Sequence, residues 1–279
     1  MDSPLLTAIF ALSAATAWGS GDFTGGLASR RVGAFHTVLI SYSIGLLALV
    51  IAALARLEQL PPLTDLAWGA VAGLCGMLGL VFLLRGFSTG RMGIVAPVSA
   101  VLATAIPVIF AAITEGLPRD LQLLGFGLAI TSIWMLSRPE PLGGRPAGLG
   151  MALVAGLGFG LFFTALGQIG ESAVFWPLVA GRLAACALMV LFALSTRQPV
   201  IPPLLPMKLL ALAGTLDVGG NLFFLLAVQS GRLDVAAVLG SLYPAVTALL
   251  AWLLAREHMA SLQVIGVAVA VLAIVLITI

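Results

Sequence analysis

Asp217 and Arg182 are charged residues set deep inside apolar sequence, where an ionised group must find a partner or a wet cavity. A central Asp or Arg costs a membrane helix about 2.5–3.5 kcal/mol on insertion scales. Asp217 falls near the middle of an apolar stretch over residues 206–229, and Arg182 near the middle of one over 173–195. An ion pair between these two segments is the simplest arrangement. Asn221 lies one turn after Asp217 and extends its polar face, and Thr164 and Gln168 can join from the stretch over 147–168. Such a group serves either solute binding and coupling or a purely structural buried pair, and the residues alone leave both open.

Around that polar group stand Trp18, Tyr42, Phe163, Trp176 and Tyr243. Aromatic walls with a few fixed polar groups suit a small amphipathic solute. Trp and Tyr are equally at home at bilayer interfaces, where Trp68 and Trp176 are placed by their positions near segment ends. Trp18, Tyr42, Phe163 and Tyr243 are the candidates for a cavity. An amino acid in such a cavity would need partners for its ammonium and carboxylate, which Asp217, Asn221 and Arg182 offer. Asp217 would titrate only if its pairing with Arg182 left it free to do so.

Other chemistries find little support. His36 is near a segment start and reads as interfacial, and His258 reads as solvated beside Glu257. Cys75 and Cys186 have unrelated spacing and read as small buried side chains. Without a cluster of His, Cys, Asp or Glu, neither an enzyme nor a metal or other cofactor is expected. A channel would need a continuous polar lining, which the scattered polar residues do not supply. A membrane scaffold without transport is the remaining alternative, against which the central Asp and Arg argue. A net charge of +2 gives no case for nucleic acid.

The elements that must position these residues are membrane helices. Hydrophobic residues make up 61% of the chain and charged residues 9%, too few charges for a soluble surface. Ten apolar stretches run over 4–20, 34–55, 66–87, 92–114, 121–137, 147–168, 173–195, 206–229, 233–255 and 261–278. Most approach the roughly 20 residues that span a bilayer core. Met1-Asp2-Ser3-Pro4 lacks a positive leader, so the first stretch is expected to remain as a helix. The expected fold is an all-α membrane protein of ten transmembrane helices.

The sequence is also written twice. Gly90-Arg91 recurs as Gly231-Arg232, Gln122-Leu123-Leu124-Gly125 as Gln263-Val264-Ile265-Gly266, and Trp18-Gly19 as Phe159-Gly160, all 141 residues apart. This predicts a repeat over 1–138, a Pro/Gly-rich linker over 139–146 and a second repeat over 147–279, packed as one transport domain. Five spans per repeat is an odd number, so the repeats should be inverted in the membrane around a midplane site. At the same offset, Asp217 and Arg182 correspond to Gly76 and Ser41, so the charged pair breaks the symmetry. Gly69, Gly73, Gly76 and Gly79 form a small-residue stripe, and Gly156, Gly158 and Gly160 another, both suited to close helix approach.

Nine basic residues, Arg30, Arg31, Arg85, Arg91, Arg138, Arg145, Arg197, Lys208 and Arg256, fall on one side of the ten-span arrangement. Arg56, Arg119 and Arg232 fall on the other. The positive-inside rule puts the richer side in the cytoplasm and both termini outside, periplasmic in a bacterial inner membrane.

The segment Tyr243-Pro244-Ala245-Val246-Thr247 through Arg256-Glu257 resembles the ninth-helix signature of EamA-type carriers of the drug/metabolite transporter superfamily. Gln229-Ser230-Gly231-Arg232-Leu233 resembles that family's turn between helices eight and nine. The first half matches less closely, with Glu115 but with its prolines at 97 and 107. The resemblance implies a ten-helix secondary carrier, and chain size with Trp18-Gly19-Ser20 is similar to the family's exporters of aromatic amino acids. It carries no substrate residues across, because the signature concerns folding. The expectation is export of small amphipathic metabolites, aromatic amino acids first, with nucleosides or organic cations as the alternative. The partners are then the small-molecule substrate and the lipid bilayer, and the functional unit a monomer.

Overall fold

The structure is a computed structural model that describes residues 4–89, 92–136, 149–171, 173–202, 205–254 and 261–278. The expected linker over 139–146 lies outside the described residues, as do Gly90, Arg91, Arg256, Glu257 and His258.

Every element among the described residues is a helix: α1 (Pro4–Ala55), α2 (Leu63–Thr89), α3 (Met92–Thr114), α4 (Asp120–Leu136), α5 (Leu149–Leu166), α6 (Phe175–Ser195), α7 (Met207–Gln229), α8 (Leu233–Gly240), α9 (Tyr243–Leu254) and α10 (Ser261–Thr278). Five stretches are long and apolar enough to cross a bilayer: Pro4–Ala55, Leu63–Gly86, Phe175–Ser195, Met207–Gln229 and Leu233–Leu254. The chain is a multi-pass helical membrane protein. Leucine, isoleucine and valine cover much of its outer face, as lipid requires.

The first span differs from its sequence reading. A helix ending near residue 20 was expected, followed by a glycine-rich loop; instead α1 continues to a single break at Gly33, with φ 80° and ψ 159°. Glycine inside a helix costs about 1 kcal/mol relative to alanine. Here the helix is held against α7, and a Cβ at Gly21 would sit 3.5 Å from Leu216 and 3.6 Å from the Asp217 backbone. The contact requires a small residue and so keeps glycine in the helix. Only Gly33 adopts a left-handed φ, which divides α1 into two arms.

The ninth span is broken where its proline requires it. Pro244 has no N–H, and its ring crowds the carbonyl four residues earlier, which belongs to Gly240. Helix α8 ends at Gly240, and α9 begins at Tyr243. Short bonds from Ser241 N to Ala237 O at 2.9 Å and from Leu242 N to Leu239 O at 3.2 Å close the intervening turn. The Ser241 hydroxyl is buried there without a partner among the described residues.

Helix α7 packs against both arms of α1, and α2 packs in the corresponding way against α5 and α6. The contacts repeat in detail. Gly79 faces the Phe159 ring and Gly220 faces the Trp18 ring, each partner displaced by 141 residues from its counterpart. Likewise Gly73 meets the backbone of Gly181, and Gly214 that of Ser41. In both cases a Cβ would collide with main chain, so the crossings depend on glycine.

The ends of α1 and α6 also match. Glu58 N bonds Ala53 O at 3.0 Å and Leu57 N bonds Leu54 O at 3.1 Å, while Gln198 N bonds Ala193 O at 2.9 Å and Arg197 N bonds Leu194 O at 3.3 Å. Both are Schellman turns. They place Leu57 at φ 50° and Arg197 at φ 55°, left-handed positions usually taken by glycine.

A cavity at the junction of the two repeats

The first arm of α1, α2, α5 and α7 converge on a cavity of about 430 Å³. Its lining contains four pairs of residues related by the 141-residue offset: Trp18 with Phe159, Asp22 with Phe163, Gly76 with Asp217, and Leu80 with Asn221. The cavity therefore sits astride the relation between the repeats. In three of those pairs one member is polar and the other apolar. Asp22, Asp217 and Asn221 lie on α1 and α7, which pack together; Phe163, Gly76 and Leu80 lie on α5 and α2, which also pack together. One wall is polar and the opposite wall apolar.

The polar wall is tied together by specific bonds. Trp18 Nε1 donates to Asn221 Oδ1 at 2.9 Å, joining α1 to α7. Arg182, only 3% exposed on α6, donates to Asp217 on α7 and forms a salt bridge with it. The guanidinium carbon lies 3.7 Å from the centroid of the Tyr42 ring, a close cation–π contact. Ser41 Oγ donates to Leu210 O at 3.2 Å and holds the second arm of α1 on α7.

The aromatic part is continuous. Phe163 and Phe224 stack with centroids 4.6 Å apart, and Trp18 lies 5.4 Å from Phe163 and 5.5 Å from Phe224. Phe162 completes the cluster, 5.5 Å from Phe163. Tyr243, on the α9 side of the broken span, reaches the same cavity. Thr247 Oγ1 donates to Gly19 O at 3.0 Å and fixes α9 on α1.

Of the residues singled out in the sequence, Trp18, Tyr42, Phe163, Asp217, Asn221 and Tyr243 line this cavity. Arg182 lines an adjoining recess with Tyr42 and Asn221. Thr164 and Gln168 are not brought to the cavity lining: Thr164 Oγ1 donates to Gly160 O at 2.9 Å, and Gln168 Nε2 to Thr164 O at 3.4 Å, both within their own segment. Those two residues lie on α5 and the turn after it, facing along the helix rather than across it. Asp22 was missed, because Gly21, Gly25 and Gly26 read as a loop. The available signal was spacing: with helix continued past Gly21, Trp18 and Asp22 are one turn apart on one face.

Outside the cavity, two carboxylates organise helix ends. Glu58 accepts from Val174 N at 2.8 Å, from Phe175 N at 3.0 Å and from Trp176 N at 2.9 Å, capping α6 from the α1–α2 loop. Trp176 Nε1 returns a bond to Glu58 O at 2.9 Å, so this tryptophan sits at a helix end and not in the cavity. Across the molecule His36 bridges from α1 to Pro199 O at 2.8 Å. Arg232 pairs with buried Asp234 at 2.8 Å and donates to Gly116 O at 2.8 Å, tying the turn before α8 to the end of α3. That hydrogen-bonded carboxylate holds the Arg232 guanidinium above its ordinary range. Cys75 and Cys186 are free thiols.

An all-helical, multi-pass chain with a half-polar, half-aromatic cavity between two repeats is the architecture of a membrane carrier for small solutes. The chain belongs to the EamA-like transporter family: the family profile matches residues 5–138 and again 146–279, both ends displaced by 141 residues. The family is one of membrane transporters, not of enzymes. A solved structure described as "Crystal structure of protein" shares the fold, with a TM-score of 0.77 at 18% identity over 97% of this chain and 95% of its own. No curated protein matches the chain.

Proposed function

We propose that this transporter is a secondary carrier that exports small amphipathic metabolites, aromatic amino acids first among them, by alternating access. The observation that carries this reading is the cavity with one polar and one aromatic wall, lined by residues that correspond between the repeats. A solute with a charged head and an aromatic body would lie across it, head toward α1 and α7, ring toward Phe163 and Phe162. The substrate contacts in this reading are Trp18, Tyr42, Phe163, Asp217, Asn221 and Tyr243, with Arg182 holding Asp217 in place.

Two five-helix repeats of opposite orientation would rock about the cavity, opening it to one side and then the other. The glycine crossings of α2 on α6 and of α7 on α1 provide smooth contacts for that motion. With the basic loops cytoplasmic, both termini are periplasmic and the membrane is the bacterial inner membrane. One chain encloses the whole cavity, so the functional unit is the monomer.

Counterflow in proteoliposomes tests the reading. Vesicles preloaded with an unlabelled solute are offered traces of labelled amino acids, nucleosides and organic cations in turn. A carrier accumulates label transiently through trans-stimulation. A channel equilibrates without stimulation and a scaffold moves nothing; either result rejects the reading.

A further inference from the structure

The charges in the cavity do not balance. Asp217 is neutralised by Arg182, and that guanidinium is engaged a second time by the Tyr42 ring. Asp22 lines the same cavity one turn after Trp18, and its carboxylate receives no hydrogen bond or ion pair from any described residue. It also borders the neighbouring recess formed by Gly25, Thr37, Ser41 and Leu84. The groups facing it are Asp217 and Asn221 from α7, Tyr42 from the second arm of α1 and Tyr243 from α9, and none brings a free cation. Phe163 occupies the repeat-related position, so the scaffold itself does not call for a carboxylate here.

A carboxylate held away from bulk water is costly unless something positive joins it. The surroundings favour an organic cation, because Trp18, Phe162 and Phe163 present ring surface to the same space. They disfavour an anion. A cargo carboxylate would lie near Asp22 and Asp217, and could reach Arg182 only by displacing Asp217.

We infer that Asp22 is the anchor for the cargo's ammonium group, and that the cavity selects a protonated amine on an aromatic or apolar body without reading a carboxylate. This rests on the carrier reading above and refines its substrate class. An amino acid is held by its ammonium alone, and its carboxylate weakens binding. An amine of the same skeleton binds better.

The test uses the full-length protein in proteoliposomes at equal pH on both sides, with phenethylamine, phenylalanine and N-acetylphenylalanine as cargoes. In the wild type, phenethylamine should half-saturate counterflow at a concentration about tenfold below phenylalanine, the difference expected for one charge contact worth about 1.4 kcal/mol. N-acetylphenylalanine, which has no ammonium, should not exchange. Asp22→Asn should raise the half-saturating phenethylamine concentration about tenfold or more and compress the order of the two amines. Equal handling of all three cargoes overturns the inference, as does an Asp22→Asn protein that keeps the wild-type order. A variant that loses only its response to an imposed pH gradient assigns the carboxylate to a proton and also overturns it. If Asp22→Asn does not fold, the wild-type series decides alone. Failure of the carrier reading looks different: no solute of any class then shows trans-stimulation.

Discussion

The indole N–H of Trp18 donates to the side-chain oxygen of Asn221 at 2.9 Å, and the repeat-related pair, Phe159 and Leu80, can form no such bond. The same position in the scaffold is thus a polar lock on one wall and a hydrocarbon contact on the other. Both variants fill the space between a helix and the glycine it crosses, Gly220 for Trp18 and Gly79 for Phe159.

Trp18→Phe should therefore leave the Asn221 carboxamide without its donor and destabilise the fold by about 1–3 kcal/mol. Asn221→Leu combined with Trp18→Phe recreates the apolar pair and should recover a large part of that loss. Thermal unfolding in detergent of both single variants and the double gives the coupling energy. A double variant no more stable than Trp18→Phe would refute the lock.

Removing one member of the Arg182–Asp217 pair leaves the other buried without its counter-charge. Asp217→Asn is expected to cost about 3–5 kcal/mol and Arg182→Met a similar amount. The double variant should be more stable than either single one, since no isolated charge remains. If the pair also shapes the polar wall, that stable double variant will still fail in counterflow. Recovery of transport along with stability would make the pair purely structural.

The glycine crossings predict a position-dependent response to alanine. At Gly73 an added methyl group would collide with the main chain of Gly181, and at Gly127 it would meet nothing within 4 Å. Gly73→Ala should destabilise by about 1–3 kcal/mol through forced helix separation. Gly127→Ala should be neutral or gain up to about 1 kcal/mol from helix propensity. The two substitutions are compared by melting temperature and by yield of monodisperse protein.

Glu58 caps α6 from a different segment, so its effect should be felt at a distance. Glu58→Ala leaves three N–H groups at that helix end without their acceptor and should cost about 1–2 kcal/mol. Glu58→Gln keeps an acceptor while losing the charge that favours a helix N-terminus, and should fall between wild type and alanine. Amide exchange at Val174, Phe175 and Trp176 reads the cap directly, and unchanged protection in Glu58→Ala would refute it.

Much of this was legible in one dimension. Membrane residence follows from composition, because a chain with 9% charged residues cannot clothe itself in water. The 141-residue correspondence is a property of residue identities, and it already marked Asp217 and Arg182 as departures from the shared scaffold. Pro244 announced a break, since its missing N–H and its ring act on its own helix.

What the sequence could not supply was the set of partners. Gly21 looks like a helix end until α7 is brought against it, when the same lack of a side chain becomes the reason the helix continues. Asp22 then passes from a presumed loop to the cavity wall. Thr164 and Gln168 have the right chemistry for a polar site, yet their bonds stay within their own segment. Local physics, such as burial cost, proline geometry and glycine freedom, is written residue by residue and can be read in order. Which face of a helix meets a neighbour depends on residues more than a hundred positions away, and only the packed structure decides that.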